Sequence, residues 1–154
     1  MPDLPSTLGD DARILARVVV AMLVAVPLGW ERERRQRPAG LRTHLLVAMS
    51  AALLVSLATP MVEALAPHGG LRFDPLRVFV AVIGGVSIVG AGTIVVDRTN
   101  GGVRGLTTAA SLLATATIGI AAGLERYVVA IGTSALAVLV LSMLAWVERR
   151  LEGR

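Results

Sequence analysis

Val103-Arg104-Gly105-Leu106-Thr107-Thr108-Ala109-Ala110-Ser111 opens an apolar run that continues to Gly123, and within it Thr107, Ser111, Thr115, Gly119 and Gly123 recur every four residues. That spacing returns to one face of an α-helix, so the five form a ridge of small and hydroxyl-bearing side chains that lets a second helix approach closely. An earlier block, Arg37-Pro38-Ala39-Gly40-Leu41-Arg42-Thr43-His44, introduces another apolar run in the same way: arginine, a helix-starting turn, then polar side chains. Gly29-Trp30-Glu31-Arg32-Glu33 stands just ahead of it.

The rest of the chain is of the same kind. Of its 154 residues, 55% are hydrophobic, and the mean hydropathy is +0.72, well above that of an ordinary globular domain. There is no cysteine, which excludes disulfides, thiolate metal sites and a cysteine nucleophile. All fifteen basic residues are arginine, a charge that no relevant pH removes. Most of them flank hydrophobic stretches and aromatic residues are scarce, which argues against nucleic-acid binding and for contact with lipid headgroups.

A hydrocarbon core of about 30 Å is crossed by about 20 apolar residues in a helix. Five stretches approach that length: Ala12 to Trp30, Leu41 to Met61, Leu76 to Val96, Thr107 to Gly123 and Tyr127 to Val147. The expected fold is therefore an all-α membrane protein, a bundle of about five transmembrane helices forming one domain over residues 1–154, with no soluble C-terminal domain and no cleaved signal peptide. Orientation follows from the arginines. With the first connection inside, Arg32, Arg34, Arg35, Arg37, Arg42, Arg98, Arg104, Arg149, Arg150 and Arg154 are cytoplasmic, and only Arg13, Arg17, Arg72, Arg77 and Arg126 are outside. This places the N-terminus outside and the C-terminus in the cytoplasm, with Trp30 and Trp146 at the cytoplasmic interface. Arg13 and Arg17 then have to snorkel outward.

The third stretch carries Gly84, Gly85, Gly90 and Gly92. With Gly119 and Gly123 these are expected to serve helix packing, although glycines at such density also permit a broken helix lining an ion path. Asp74-Pro75, with Arg77 after it, reads as a helix start on the outer side.

The charged positions admit several chemistries. Glu31 and Glu33 could ligate a divalent cation with Asp97, since hard cations want several oxygens. Arg32, Arg34 and Arg35 crowd the same turn, so an ion pair of Glu31 or Glu33 with Arg42 or Arg104 is the favoured expectation. The second and fourth stretches both begin on the cytoplasmic side, and their positive dipole ends lie beside Arg42 and Arg104, near Thr43, Thr107 and Thr108. Such a place suits an anion, such as a lipid phosphate or a carboxylate, with Glu31 itself the favoured one. His44 is a pH sensor or metal ligand in principle and a hydrogen-bonding element of packing by preference. No catalytic triad, phosphate loop or metal-ligand spacing is present, which argues against an enzyme, and no cofactor is expected.

The chain resembles the MgtC/SapB family of bacterial membrane proteins from about Leu15 to Val147. The resemblance rests on Gly29, Glu31, Arg32 and Glu33; on Ala39-Gly40-Leu41-Arg42-Thr43-His44; on Asp74-Pro75 with Arg77; on Gly90-Ala91-Gly92; and on Val103 to Ser111, then Gly119 and Gly123. It implies a multi-pass protein of the bacterial inner membrane, linked to growth in low magnesium and to survival inside host cells. It further implies a regulator whose membrane partner is the F-type ATP synthase, with an ion transporter or channel as the alternative. A homo-oligomer and an anionic lipid surface are the other expected partners.

Overall fold

The computed structural model describes residues 8–65, 74, 76–96 and 102–152, without the side chains of 59, 62–65 and 144–152. Among these residues are five helices: α1 (Leu8–Arg34), α2 (Leu41–Leu65), α3 (Leu76–Ala91), α4 (Leu106–Gly123) and α5 (Tyr127–Glu152). Between α3 and α4 lie two short antiparallel strands, β1 (Val95–Val96) and β2 (Val103–Arg104), with Val95 opposite Arg104 and Val96 opposite Val103.

Local chemistry sets the helix ends. α1 begins with Asp10 and Asp11 and ends with Arg32 and Arg34, each charge complementing the helix dipole. Its last turn closes through Arg37 N–H to the Arg32 carbonyl and Gln36 N–H to the Glu33 carbonyl, with Gln36 at φ 51°. The end of α4 repeats this pattern: Arg126 N–H bonds the Ala121 carbonyl, Glu125 N–H bonds the Ala122 carbonyl, and Glu125 sits at φ 60°. Both are Schellman closures that carry a side chain where glycine is usual. Asp74 caps α3 as expected, accepting from Leu76 N–H at 3.0 Å.

Side-chain pairings give the helix directions. Arg32 meets Thr108 while Arg17 meets Glu125, so α1 and α4 are antiparallel. His44 meets Ser111 and Ser56 meets Gly123, so α2 and α4 are parallel. Gly90 lies against Ala109, so the end of α3 meets the start of α4. The helices thus alternate in direction and α4 touches the other four, with α3 on one flank and α5 on the other. One end of the bundle gathers the C-termini of α1 and α3 with the N-termini of α2 and α4.

The core is built from small side chains, among them Ala21, Ala25, Ala48, Ala52, Ala122 and Ala130 around Leu28 and Ile118. Large apolar residues point outward instead, including Leu23, Val80, Ile88, Val128 and Leu136. Apolar exteriors with small-residue seams suit helices whose solvent is lipid. At the seam between α4 and α2, a Cβ on Gly119 would lie 2.5 Å from the Ala48 carbonyl oxygen, and one on Gly123 would lie 2.8 Å from that of Ala52. Gly29 packs in the same way on Leu41 and His44, and Gly90 on Ala109.

Several expectations are corrected. Gly84 and Gly85 are exposed and have no atom within 4 Å of a Cβ, because α3 turns Val82 and Gly90 toward its neighbours and these glycines away. Gly92 lies beyond the helix and touches only the carbonyls of Val89 and Ile88. The third stretch does not run to Val96: Thr93 Oγ1 donates back to the Gly90 carbonyl at 2.7 Å and the chain turns into β1. The ridge of α4 begins at Ser111, since Thr107 is exposed and Thr108 takes its buried place as 3.6 residues per turn require. By length and hydropathy, three helices among the described residues suffice to cross a bilayer, α1, α2 over Leu41–Ala58, and α4, which fits the expected all-α membrane fold. At 16 residues, α3 reaches only about 24 Å, whereas α5 runs for 26 residues.

Candidate functional site

At the end where α1 stops and α2 and α4 start, polar side chains enter the bundle. Arg32 is 3% exposed and its Nη2 donates to Thr108 Oγ1 at 3.0 Å. Its Nε has no acceptor, and no carboxylate lies within ion-pair distance among the described residues. A buried guanidinium with one neutral partner is far from satisfied, since it carries five N–H donors.

The acidic neighbours of Arg32 are engaged elsewhere. Glu31 Oε1 pairs with Arg35 Nε one turn along, while Glu31 Oε2 is buried without a partner. Glu33 Oε2 accepts from Leu41 N–H at 2.9 Å and so caps α2 across the connection. Gly40 makes room for this cap, because a Cβ there would occupy the place of that oxygen.

His44 is fully buried on the first turn of α2. Its Nδ1 donates to the Gly40 carbonyl at 2.8 Å, and its Nε2 lies 3.3 Å from Ser111 Oγ. Ser111 Oγ is also 2.8 Å from the Thr108 carbonyl, so its single hydroxyl proton has two acceptors to choose between. Thr115 Oγ1 continues the chain with a bond to the Ser111 carbonyl at 2.8 Å. Beyond Thr115 the interface becomes the alanine and glycine seam around Gly119. The polar network therefore joins α1, α2 and α4 at one end and stops partway along α4. Serine and histidine in contact have the makings of a nucleophile and base, but both are sealed inside and serve here as a hydrogen-bonded link.

The expected pairing of Glu31 or Glu33 with Arg42 or Arg104 is corrected by this geometry. Arg42 and Arg104 lie at the right end but are exposed and have no ion-pair partner among the described residues. Thr43 is half-buried and Thr107 exposed. Asp97 lies outside the described residues, so a cation site with Glu31 and Glu33 cannot be assembled from them, and among those residues no three His, Asp or Glu side chains converge as metal ligands. Asp74 and Arg77 belong to the opposite end of the bundle, both exposed.

Arg32 is the member whose role the sequence concealed. Its signal is the spacing of Val18, Ala21, Ala25 and Leu28, which continues in steps of three and four to Arg32 and marks the buried stripe of α1. Arg17 has a partner the sequence did not reveal, Glu125 at the far end.

The family model for the MgtC family matches residues 18–150. Over 143 residues the chain is 37% identical to a protein of Escherichia coli K12 named putative magnesium transporter YhiD, covering 93% of this chain and 66% of that one. It is 30% identical to protein SapB of Bacillus subtilis over 141 residues, 92% of this chain and 60% of the relative. Protein MgtC of Salmonella typhimurium LT2 is 37% identical over 115 residues, 73% and 44% respectively. The chain thus spans two thirds or less of the length of these relatives, and no solved structure matches it. With a matching family model over most of its length, this chain is a member of the MgtC family and a membrane protein.

Proposed function

We propose that this protein is a non-catalytic regulator of the bacterial inner membrane that acts by docking on a membrane partner during adaptation to low magnesium and life inside host cells. The observation that carries this reading is the seam between α2 and α4. Polar side chains penetrate from one end as far as Thr115; beyond it the Ala48 and Ala52 carbonyls rest on Gly119 and Gly123, and the buried Ser56 hydroxyl is spent on the Gly123 carbonyl. An ion path needs a polar cavity across the bilayer, and among the described residues this interface is closed past its midpoint by backbone packed on backbone. By family resemblance the F-type ATP synthase is the partner, and five spans with the N-terminus outside and the C-terminus in the cytoplasm are the topology. A second reading, transport of magnesium or another ion, is favoured by the name of the Escherichia coli relative.

Magnesium flux into liposomes containing only the purified protein separates the two. A regulator gives no flux above empty liposomes, whereas saturable flux overturns this reading. Co-purification of ATP synthase subunits from native membranes tests the partner, and reporters fused near Asp3 and after Arg154 test the topology.

A further inference from the structure

α1 and α5 run side by side in the same direction. They are tied at one end by Arg17 to Glu125, and at mid-length by the Ser134 hydroxyl, which donates to the Val24 carbonyl at 2.7 Å. Beside that bond and beyond it the two helices leave an open groove of about 690 Å³, within the roughly 300–1,000 Å³ of a site that holds one small ligand. Leu23 and Pro27 belong to its α1 wall, and Val138, Leu139, Ser142 and Met143 to its α5 wall. The walls are apolar except for the two serines, and of these Ser134 is spent on α1 while Ser142, half-buried, has no hydrogen bond among the described residues.

The α1 wall continues past the groove. Leu23, Pro27, Trp30 and Arg34 follow at intervals of four, three and four residues, so they share one face of the helix, and all four are exposed. Along that face an apolar wall passes into an indole and then into a guanidinium. Arg34 has no ion-pair partner among the described residues. Its surroundings are rich in positive charge: residues 31–42 and 95–104 hold seven arginines against three acidic residues. The close of α5 does not offset them, since Glu148 and Glu152 come with Arg149 and Arg150.

We infer that the groove between α1 and α5 is the site of one anionic phospholipid. Acyl chain, ester layer and phosphate succeed one another in such a lipid in the order that this face presents apolar wall, indole and cation. The lengths agree as well. From Leu23 to Arg34 the helix rises about 16 Å, and one leaflet's share of a hydrocarbon core of about 30 Å is about 15 Å. The chain lies against Leu23, Pro27 and Leu139, the Ser142 hydroxyl donates to an ester carbonyl beside Trp30, and Arg34 holds the phosphate. This goes beyond the regulatory reading and holds for a transporter as well.

The test is thermal unfolding of the whole protein in a maltoside detergent, with phosphatidylglycerol or phosphatidylcholine of the same acyl chains added. At about one hundred times its Kd, phosphatidylglycerol raises Tm by about 5 °C or more, and phosphatidylcholine at the same concentration by less than half as much. Arg34→Gln reduces the first increment to the second, and Leu139→Trp, which fills the groove from its exposed rim, removes both. Arg42→Gln and Leu136→Trp, exposed positions outside the groove, keep the full increment. Arg34→Gln against Arg42→Gln decides the matter should Leu139→Trp fail to fold. Equal increments for the two lipids, an undiminished increment in Arg34→Gln, or an equal loss in Arg42→Gln overturns the site. A dimer in sedimentation that Leu139→Trp makes monomeric gives the groove to a second copy and overturns it too.

Discussion

Arg17 and Glu125, 108 residues apart, close the end of the bundle opposite Arg32: Arg17 Nε and Nη2 both reach Glu125 Oε1, at 2.9 and 2.7 Å. Glu125 is also the left-handed residue that ends α4. Two opposing contributions therefore meet in one side chain. A half-exposed ion pair contributes at most about 1 kcal/mol, and a non-glycine residue in this conformation costs about as much. Glu125→Gly is expected to leave stability within about 0.5 kcal/mol of wild type, and Glu125→Ala to fall below it by about 1 kcal/mol. Unfolding of the two variants side by side in detergent checks the order. Arg17→Ala should cost nothing further in the Glu125→Gly background.

Gly119 and Gly84 give the sharpest contrast among the glycines. Gly119→Ala puts a methyl group 2.5 Å from the Ala48 carbonyl oxygen and 2.9 Å from the Ala51 Cβ, backbone and short side chain that cannot swing aside. A loss of about 1–3 kcal/mol follows from such overpacking, and Gly119→Leu should prevent assembly of α4 on α2. Gly84→Ala meets nothing within 4 Å and should instead gain up to about 1 kcal/mol from helix propensity. Melting temperatures that move in the same direction for the two alanine variants would contradict the packing described.

The cap of α2 is testable as a coupled pair. Gly40→Ala displaces the Glu33 carboxylate, and Glu33→Ala removes it; each is expected to cost about 0.5–2 kcal/mol, the range of a lost N-cap. Because both destroy the same hydrogen bond, the double variant should be little worse than the poorer single one. Additive losses would show that the two substitutions do not act through the same hydrogen bond.

Arg35 and Arg42 differ in consequence. Arg42 is exposed and unpaired among the described residues, so Arg42→Ala should stay within about 0.5 kcal/mol of wild type. Arg35→Ala leaves both oxygens of the nearly buried Glu31 without a partner, at a cost of about 1–3 kcal/mol. Adding Glu31→Gln should restore part of that loss. Denaturation of the three variants measures it.

Much of the bundle was legible in the sequence because its seams are periodic. Ser111, Thr115, Gly119 and Gly123 repeat at the helical interval, and Asp74 before Pro75 is a helix start by composition alone. Gly84 and Gly85 misled because glycine has the same appearance at a close contact and on an open face; only the position of α3 at the edge decides between them. The site was legible as a neighbourhood but not as a set of bonds. Glu31, Arg32 and Glu33 are successive residues pointing about 100° apart on one helix, and a run of charges carries no phase of its own. The rotation of α1 is set by Gly29 against Leu41 and His44, and that contact turns Arg32 inward and Glu33 toward the connection.

The seam of α2 and α4 also limits how the protein can move. Each glycine of α4 stands opposite a carbonyl of α2, so a screw motion of one residue, a rise of about 1.5 Å with a turn of about 100°, would set Ile118 or Ile120 where only a hydrogen fits. Those two helices, with α1 locked to them through Arg32 and His44, behave as a stiff beam. Rearrangement without breaking it falls to α3 and α5, the flanking helices, held by apolar contacts around Val82 and by the bond of Ser134 Oγ to the Val24 carbonyl. A signal crossing this molecule would be carried by its edges while its centre keeps its shape.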